Sequence, residues 1–445
     1  MNTEKQLFLI GLGMGSGDLL TARAKHALEG AEIVFGAARI LESAKKVLEE
    51  SASGGEKQTT VRFESLYKAE EIASCLKENP QLASVAVVFS GDTGFFSGAV
   101  QFFDKENIFE GWEIQAESGI SSAVYFASKL HKSWQKWKLL SLHGATCNTI
   151  EQIRKNPACF FILSGAEDLR TVGKKLETAL KNDILSSIKC YLGSNLSYDV
   201  EKIRQISPKE MENFAESEHP ALFVLLVENE HARFASETPF LKDEDFIRRE
   251  KIPMTKQEVR ELSVCALRLS KYSVVYDIGS GSGSVTVEAA RIATEGQVFA
   301  IECNEDALSL TRENVEKFCL ENVSLMRGFA PECLENADFP PPTHVFIGGS
   351  KGNLAEIVQF ALKKNPAVRI VANFVSLENL CEMQNLLKSL EEESSSGSDC
   401  GTPKISDVEI RQIAVTRAEK AGDFHLMKAQ NPVWVVSFSG NGEKG

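Results

Sequence analysis

Short apolar runs recur along the chain, separated by stretches in which apolar positions return every three or four residues. That alternation of strand-like and helix-like patterns predicts α/β domains. In the first half, LFLIG (7–11), EIVFG (32–36), VAVVFS (85–90), EIQAE (113–117), KLLSLHG (138–144), CFFILSG (159–165), IKCYLG (188–193) and ALFVLLVE (221–228) read as strands. The stretch ENEHARFASETPFLKDEDF (228–246) is polar, mixed in charge and aperiodic, which places a linker near residues 231–242.

A second series follows. MTKQEVRELSVCALRLS (254–270) opens it as a helix, and Thr255 with Glu258 fits a capping box. Strands are expected at VVYDI (274–278), QVFAIE (297–302), NVSLM (322–326), HVFIG (344–348) and VRIVA (368–372). EEESSSGSDCGT (391–402) is polar and of low complexity and reads as a disordered loop. DVEIRQIAV (407–415) and PVWVVSF (432–438) read as two more strands with no helix long enough for a parallel crossover, so an antiparallel hairpin at a sheet edge is expected.

Composition narrows the classes. At 445 residues the chain is expected to hold two or three domains, at about 150 residues each, and the pattern favours two, 1–235 and 240–445. A net charge of −13 argues against nucleic-acid partners, which need a basic face. No apolar run is long enough to span a bilayer, and MNTEKQLFLI lacks a basic n-region and cleavage site, so a cytoplasmic protein without membrane association is expected. The ten cysteines form no CxxC pair; free thiols and no bound metal are expected.

Two glycine loops carry the candidate chemistry. In VVYDIGSGSGSVTVEAA (274–290), Asp277 ends a strand, Gly279, Gly281 and Gly283 follow, and a helix begins, offering backbone N–H groups and close backbone approach to a ligand. Glu302 ends the next strand, where a carboxylate can accept from both hydroxyls of a ribose. Ser284 stands where a dinucleotide pattern needs its third glycine. The acid before the glycines suits the cationic end of S-adenosylmethionine, which has no pyrophosphate to cradle. Arg248, Arg249, Lys251 and Lys256 form a basic cluster that could meet substrate carboxylates, although a solvated face is the default for each.

These motifs resemble motif I of the class I, Rossmann-like methyltransferases. DEDFIRREKIPMTKQEVR (243–260), DIGSGSGSVTVEAAR (277–291), HVFIGGSKGNL (344–354) and NPVW (431–434) resemble more particularly the decarboxylating methyltransferase domain of corrin biosynthesis. The resemblance implies that Asp277, Gly279, Gly281, Gly283, Glu302 and Thr255 surround S-adenosylmethionine, with Phe329 and Ala330 from the loop after the third strand. It also puts Thr255 and Gln257 at the mouth of the site as candidates for positioning ligand. The family usually carries an acid in the RGFAPE loop (327–332) to accept from the adenine amine; Phe329 stands there, either to stack on adenine or simply to pack.

The first loop, LFLIGLGMGSGDLLT (7–21), is followed by a strand that ends without a ribose-binding carboxylate, so a dinucleotide site is not expected there. It resembles the opening of the tetrapyrrole methylases, two-lobed class III methyltransferases in which this loop lines the macrocycle cleft, and that resemblance makes Gly11, Gly13 and Gly15 substrate-facing. FSGDTGFFSGA (89–99) and SGISSA (118–123) match two further family loops, with Thr93 and Ser118 in place of prolines, and FFILSG (160–165) follows. The resemblance implies that Gly91, Asp92, Phe95, Ser121, Ser122 and Leu163 surround a second S-adenosylmethionine. Alone, Asp92 would be a turn former and the serines helix caps. His143, in SLHGA (141–145), is a candidate for substrate contact.

Together the halves resemble fused corrin-ring methyltransferases of cobalamin synthesis. The implied chemistry on a precorrin is methylation at C5 by the first domain, methylation at C15 by the second, and loss of carbon dioxide from the C12 acetate; a homo-oligomer is the expected assembly. Two other classes stay open: a class I methyltransferase acting on nucleic acid or protein, against which stands the lack of a basic stripe, and a first domain that binds tetrapyrrole without catalysis.

Overall fold

The computed structural model describes residues 5–52, 61–142, 148–215, 222–232, 240–395 and 405–441. The chain forms two compact units: Met1–Gly144 with Pro157–Gly173 and Ile188–Glu228, and Ala145–Asn156 with Lys174–Ser187 and Asn229–Gly445.

The first unit holds two five-stranded sheets. Strands β1 (Lys5–Gly11), β2 (Ile33–Phe35), β3 (Arg62–Glu64), β4 (Ser84–Phe89) and β5 (Trp112–Glu117) form a sheet in the order β3-β2-β4-β1-β5, with every pairing parallel. Leu7, Leu9, Val85 and Val87 face one apolar layer, and Ile10, Val34, Ala86 and Val88 face another. Both sides are covered, as a parallel sheet requires. Strands β6 (Lys138–Ser141), β7 (Ala158–Leu163), β8 (Ile188–Ser194), β9 (Lys202–Gln205) and β10 (Phe223–Asn229) make the second sheet, in the order β6-β7-β10-β8-β9. The β6–β7 pair is parallel; the β7–β10 and β8–β9 pairs are antiparallel. Sequence patterning missed β3 and β9. Each is short and carries charged residues, so neither gives an apolar run.

The second unit is built on seven strands: β11 (Val274–Ile278), β12 (Gln297–Glu302), β13 (Val323–Arg327), β14 (His344–Ile347), β15 (Arg369–Phe374), β16 (Ile405–Ile413) and β19 (Val433–Gly440), in the order β13-β12-β11-β14-β15-β19-β16. The first five run parallel, and β19 lies antiparallel to both β15 and β16. Strand order therefore reverses between β11 and β14, the switch point at which open α/β sheets bind ligands. Between β16 and β19 the chain forms a separate two-stranded ribbon, β17 (Thr416–Ala421) with β18 (Phe424–Ala429). The expected antiparallel pair at the sheet edge is therefore present as β16 and β19, and the connection between them carries an added arm. Its residues are almost all exposed, which left no apolar periodicity to read.

Two other expectations are corrected. The helix that opens the second series spans Gln257–Leu267 with Lys256 at its N-cap and no side-chain cap bond; the Thr255–Glu258 capping box does not form because the helix starts one residue late for it, placing Thr255 before the N-cap, and Glu258 pairs with Arg417. Residues 391–395, expected in a loop, continue the helix Leu377–Ser395, and 396–402 lie outside the described residues. Part of the expected linker, 233–239, does so too.

Candidate functional site

The second unit's site begins where β11 ends. Gly279, Gly281 and Gly283 all adopt positive φ, at 72°, 57° and 75°, a region open to glycine at little cost. A Cβ on Gly279 would stand 2.7 Å from the Gly349 nitrogen, so the chain leaving β11 presses directly on the chain leaving β14. Gly283 is the N-cap of the helix Ser284–Ile292. A Cβ there would meet Thr311 at 2.8 Å, so this glycine lets two helices approach and does not line the cavities.

Glu302, at the end of β12, is the candidate ligand-facing group beside the loop. One carboxylate oxygen accepts from the Gly281 N–H at 3.0 Å and the other from the Asn304 N–H at 2.9 Å. Only 8% exposed, it is fixed in orientation while keeping lone pairs free for a diol. It lines a cavity of about 320 Å³ together with Gly279, Gly281, Phe329, Ala330 and Lys351. Phe329 is 55% exposed beside that space, which suits a stacking face better than a core role.

Asp277 lies beneath the loop, 1% exposed and outside the cavity lining. One oxygen accepts from Thr286 and the other, Oδ1, has no partner. Burial pushes its carboxyl up to about 7, the Glu302 charge adding to the rise and the Thr286 hydrogen bond opposing it.

A larger cavity of about 700 Å³ adjoins the first and shares Pro253, Gly279, Gly281 and Gly348 with it. Thr255, Arg248 and Lys256 line it, as do Arg417 and Lys428 from the ribbon. Two candidates are directed elsewhere. Arg249 is bound to Glu313 and to the Asp306 carbonyl at 2.9 Å, and Gln257 donates to Glu261 at 2.8 Å. Neither lines a cavity of this site.

Two residues that patterning did not single out organise the wall. Arg260, wholly buried, donates to the Thr255 carbonyl at 2.9 Å and to Asp243 at 3.2 Å, and its guanidinium lies 4.7 Å from the Phe246 ring centre. Arg417 grips Glu258 through two hydrogen bonds of 2.9 and 2.7 Å. An arginine on the apolar side of a helix was a visible signal for Arg260; Arg417 left none.

In the first unit, three loops meet at the carboxyl ends of β1, β4 and β5. Gly13 and Gly91 exchange two backbone hydrogen bonds of 3.0 and 2.7 Å. A Cβ on Gly11 would lie 2.7 Å from both the Gly91 oxygen and the Gly119 nitrogen, and one on Gly15 would lie 2.8 Å from the Tyr198 hydroxyl. Asp92 stitches the loops, accepting from Gly94 at 2.9 Å and Gly119 at 3.1 Å. Ser121 caps the helix Ser122–Leu130 by accepting from Val124, with Ser122 half-buried as that helix's first residue. Phe95 packs 6.3 Å from Phe160, and Leu163 is buried at the end of β7. His143 lies outside the described residues.

Among the described residues, no cluster of three or more His, Cys, Asp or Glu could hold a metal ion, and no helix is long and apolar enough to cross a membrane.

A glycine loop and a strand-end carboxylate at the switch point of an open α/β sheet stand where such sheets bind ligands. The comparisons are more particular. Residues 247–439 match the family described as the precorrin methyltransferase domain, and residues 6–212 match the tetrapyrrole (corrin/porphyrin) methylases. A probable cobalt-precorrin-6B C(15)-methyltransferase (decarboxylating) of Pyrobaculum calidifontis is 39% identical over 202 residues, 45% of this chain and 95% of that protein. The cobalt-precorrin-6B C(15)-methyltransferase (decarboxylating) of Salmonella typhimurium is 35% identical over 199 residues, 44% of this chain and 94% of that one. A crystal structure of precorrin-6y C5,15-methyltransferase from Geobacter metallireducens is 33% identical, covering 45% of this chain and 96% of its own, with a TM-score of 0.39. The chain belongs to the precorrin methyltransferase family.

Proposed function

We propose that this chain is an enzyme of corrin-ring synthesis that methylates a precorrin-6 substrate at two carbons and removes one carboxyl group. In this reading residues 1–235 are a two-lobed class III tetrapyrrole methylase acting at C5. Residues 240–445 are a Rossmann-like class I methyltransferase acting at C15 and on the C12 acetate. The relatives' names supply the reaction, and the observation that carries it onto these residues is Glu302, held by Gly281 and Asn304 facing one cavity while a larger cavity with charged walls opens beside it.

The smaller cavity fits S-adenosylmethionine: Glu302 would take the ribose hydroxyls, Phe329 one adenine face, and the loop at Gly279 and Gly281 the close approach. When bound, the donor supplies a sulfonium methyl to a nucleophilic ring carbon. Residues around the shared wall at Gly279, Gly281 and Gly348 would align that carbon and exclude water, which is where most of the rate advantage of such a transfer lies. Arg248 and Lys256 would pair with carboxylates at the macrocycle rim, while Lys428 is held by Glu419 at 3.1 Å. In the first unit Gly91, Asp92 and Ser121 would shape the second donor site through the loop junction they hold together.

Incubating the full chain with S-adenosylmethionine and either metal-free or cobalt-bearing precorrin-6, with mass spectrometry of the product, tests this reading. Two added methyls and one lost carbon dioxide are expected. An unmodified macrocycle with both substrates would overturn it, and a single methyl with decarboxylation would leave the first domain without catalysis.

A further inference from the structure

Buried polar atoms without partners are uncommon because each loses its water without a replacement. Among the described residues, three such atoms gather around the second glycine loop: Asp277 Oδ1 beneath it, Ser282 Oγ within it and Asn373 Nδ2 at the end of β15. Ser282 and Asn373 line the larger cavity, and Asp277 does not. Ser282 is only 2% exposed. Asn373 is held from behind, its Oδ1 facing the Ser263 hydroxyl at 3.0 Å, which leaves the amide nitrogen as a donor with no acceptor. One hydroxyl and one amide, both neutral, therefore stand in a wall that otherwise carries charged side chains of both signs, Arg248, Lys256, Arg417 and Lys428 with Asp243, Glu244 and Glu419.

We propose that Ser282 and Asn373 together hold the substrate carboxylate that leaves as carbon dioxide. This rests on the functional reading above and assigns one subsite within it. In the step, the bond between the carboxyl carbon and the side-chain CH2 breaks. Its electron pair moves into the protonated conjugated ring, carbon dioxide departs, and a proton from solvent completes the new methyl group. The negative charge thus leaves the carboxylate as the bond breaks. A guanidinium or ammonium on that carboxylate would stabilise the starting charge and oppose its loss, since only interactions stronger in the transition state speed a step. Two neutral donors fix the group's orientation with far less of that penalty. Arg248 and Lys256 of the same wall suit the carboxylates that stay.

Location agrees with chemistry. Ser282 follows Gly281, which faces both cavities, so the departing group would sit on the side of the macrocycle where the methyl donor binds.

The test uses the full chain with S-adenosylmethionine and precorrin-6, comparing Ser282→Ala and Asn373→Asp with the unaltered protein. Mass spectrometry counts methyls and lost carbon dioxide separately, and titration calorimetry measures donor affinity. Tenfold or greater loss of decarboxylation is expected, with methyl transfer reduced less than threefold and donor affinity within twofold, so that a methylated product retaining its carboxyl accumulates. If Asn373→Asp fails to fold, the smaller Ser282→Ala change decides. An unchanged product ratio in both variants, or equal loss of methylation and decarboxylation with donor binding intact, overturns the inference alone. An unaltered protein that neither methylates nor decarboxylates overturns the functional reading beneath it.

Discussion

Gly281 donates its backbone N–H to the Glu302 carboxylate at 3.0 Å, joining the glycine loop of one strand to the acidic end of the next. With Asn304 binding the other oxygen, both carboxylate oxygens accept from main chain. Glu302→Gln would turn an NH2 toward one of these N–H groups and lose the charge a diol prefers. Hydrogen bonds to charged groups contribute about 1.5–3 kcal/mol, so donor affinity should fall about ten- to hundred-fold while the fold persists. Calorimetric titration with S-adenosylmethionine reads the first quantity and circular dichroism the second; unchanged affinity would remove Glu302 from the site.

Asp277 gives a pH dependence with a definite sign. Its carboxyl is pushed from 3.8 up to about 7 by burial, with the Glu302 charge adding to the rise. The folded state therefore keeps a proton that the unfolded chain releases, and this group's contribution to stability declines as pH rises from about 3.8 to about 7. Asp277→Asn keeps the shape without the titration. The variant should gain on the unaltered protein across that window and keep a constant difference above it, measured as the melting temperature of the second unit at pH 5, 6, 7 and 8. Parallel curves would mean the carboxyl titrates normally.

The legibility of these sites in the sequence differed by kind. The β11 loop and Glu302 could be read because both belong to one βαβ segment, where strand ends and helix starts fix spacing along the chain. Asp277 stood out equally well, but its burial under the loop depends on Thr286 packing back against it, which spacing does not encode. Arg249 and Arg248 are neighbours in sequence, yet one pairs with Glu313 and the other faces the cavity. The ribbon β17–β18 supplies Arg417 from more than 150 positions beyond its partner Glu258. Such contacts are set by tertiary packing, and the exposed strands that bring them leave no apolar period.

The first glycine loop calls for a different experiment. Gly11 touches the backbones of Gly91 and Gly119, with 2.7 Å available where a Cβ would stand, so the glycines serve the loop junction before any ligand. Gly11→Ala forces backbone apart, and overpacking of this kind costs about 1–3 kcal/mol. The melting temperature should fall, methylation at C5 should be lost, and methylation at C15 should continue, since the second unit carries its own glycine loop. Loss of C5 methylation without any drop in melting temperature would instead indicate direct contact between Gly11 and substrate.

Arg417 joins the ribbon to the helix that begins at Gln257, and its guanidinium holds the Glu258 carboxyl below the usual range, so the pair stays ionised at neutral pH. Both side chains are more than one third exposed, at 39% and 38%, which limits the pair to about 1 kcal/mol or less of stability. An isolated two-stranded ribbon has little stability of its own, so this tie bears on where Lys428 and Gln430 stand around the larger cavity. Arg417→Met keeps the bulk and removes the fork. The melting temperature should barely move and donor affinity should stay unchanged, while KM for the precorrin rises several-fold at constant or lower kcat. A large drop in melting temperature with unaltered KM would make Arg417 a stabilising surface contact and take the ribbon out of substrate binding.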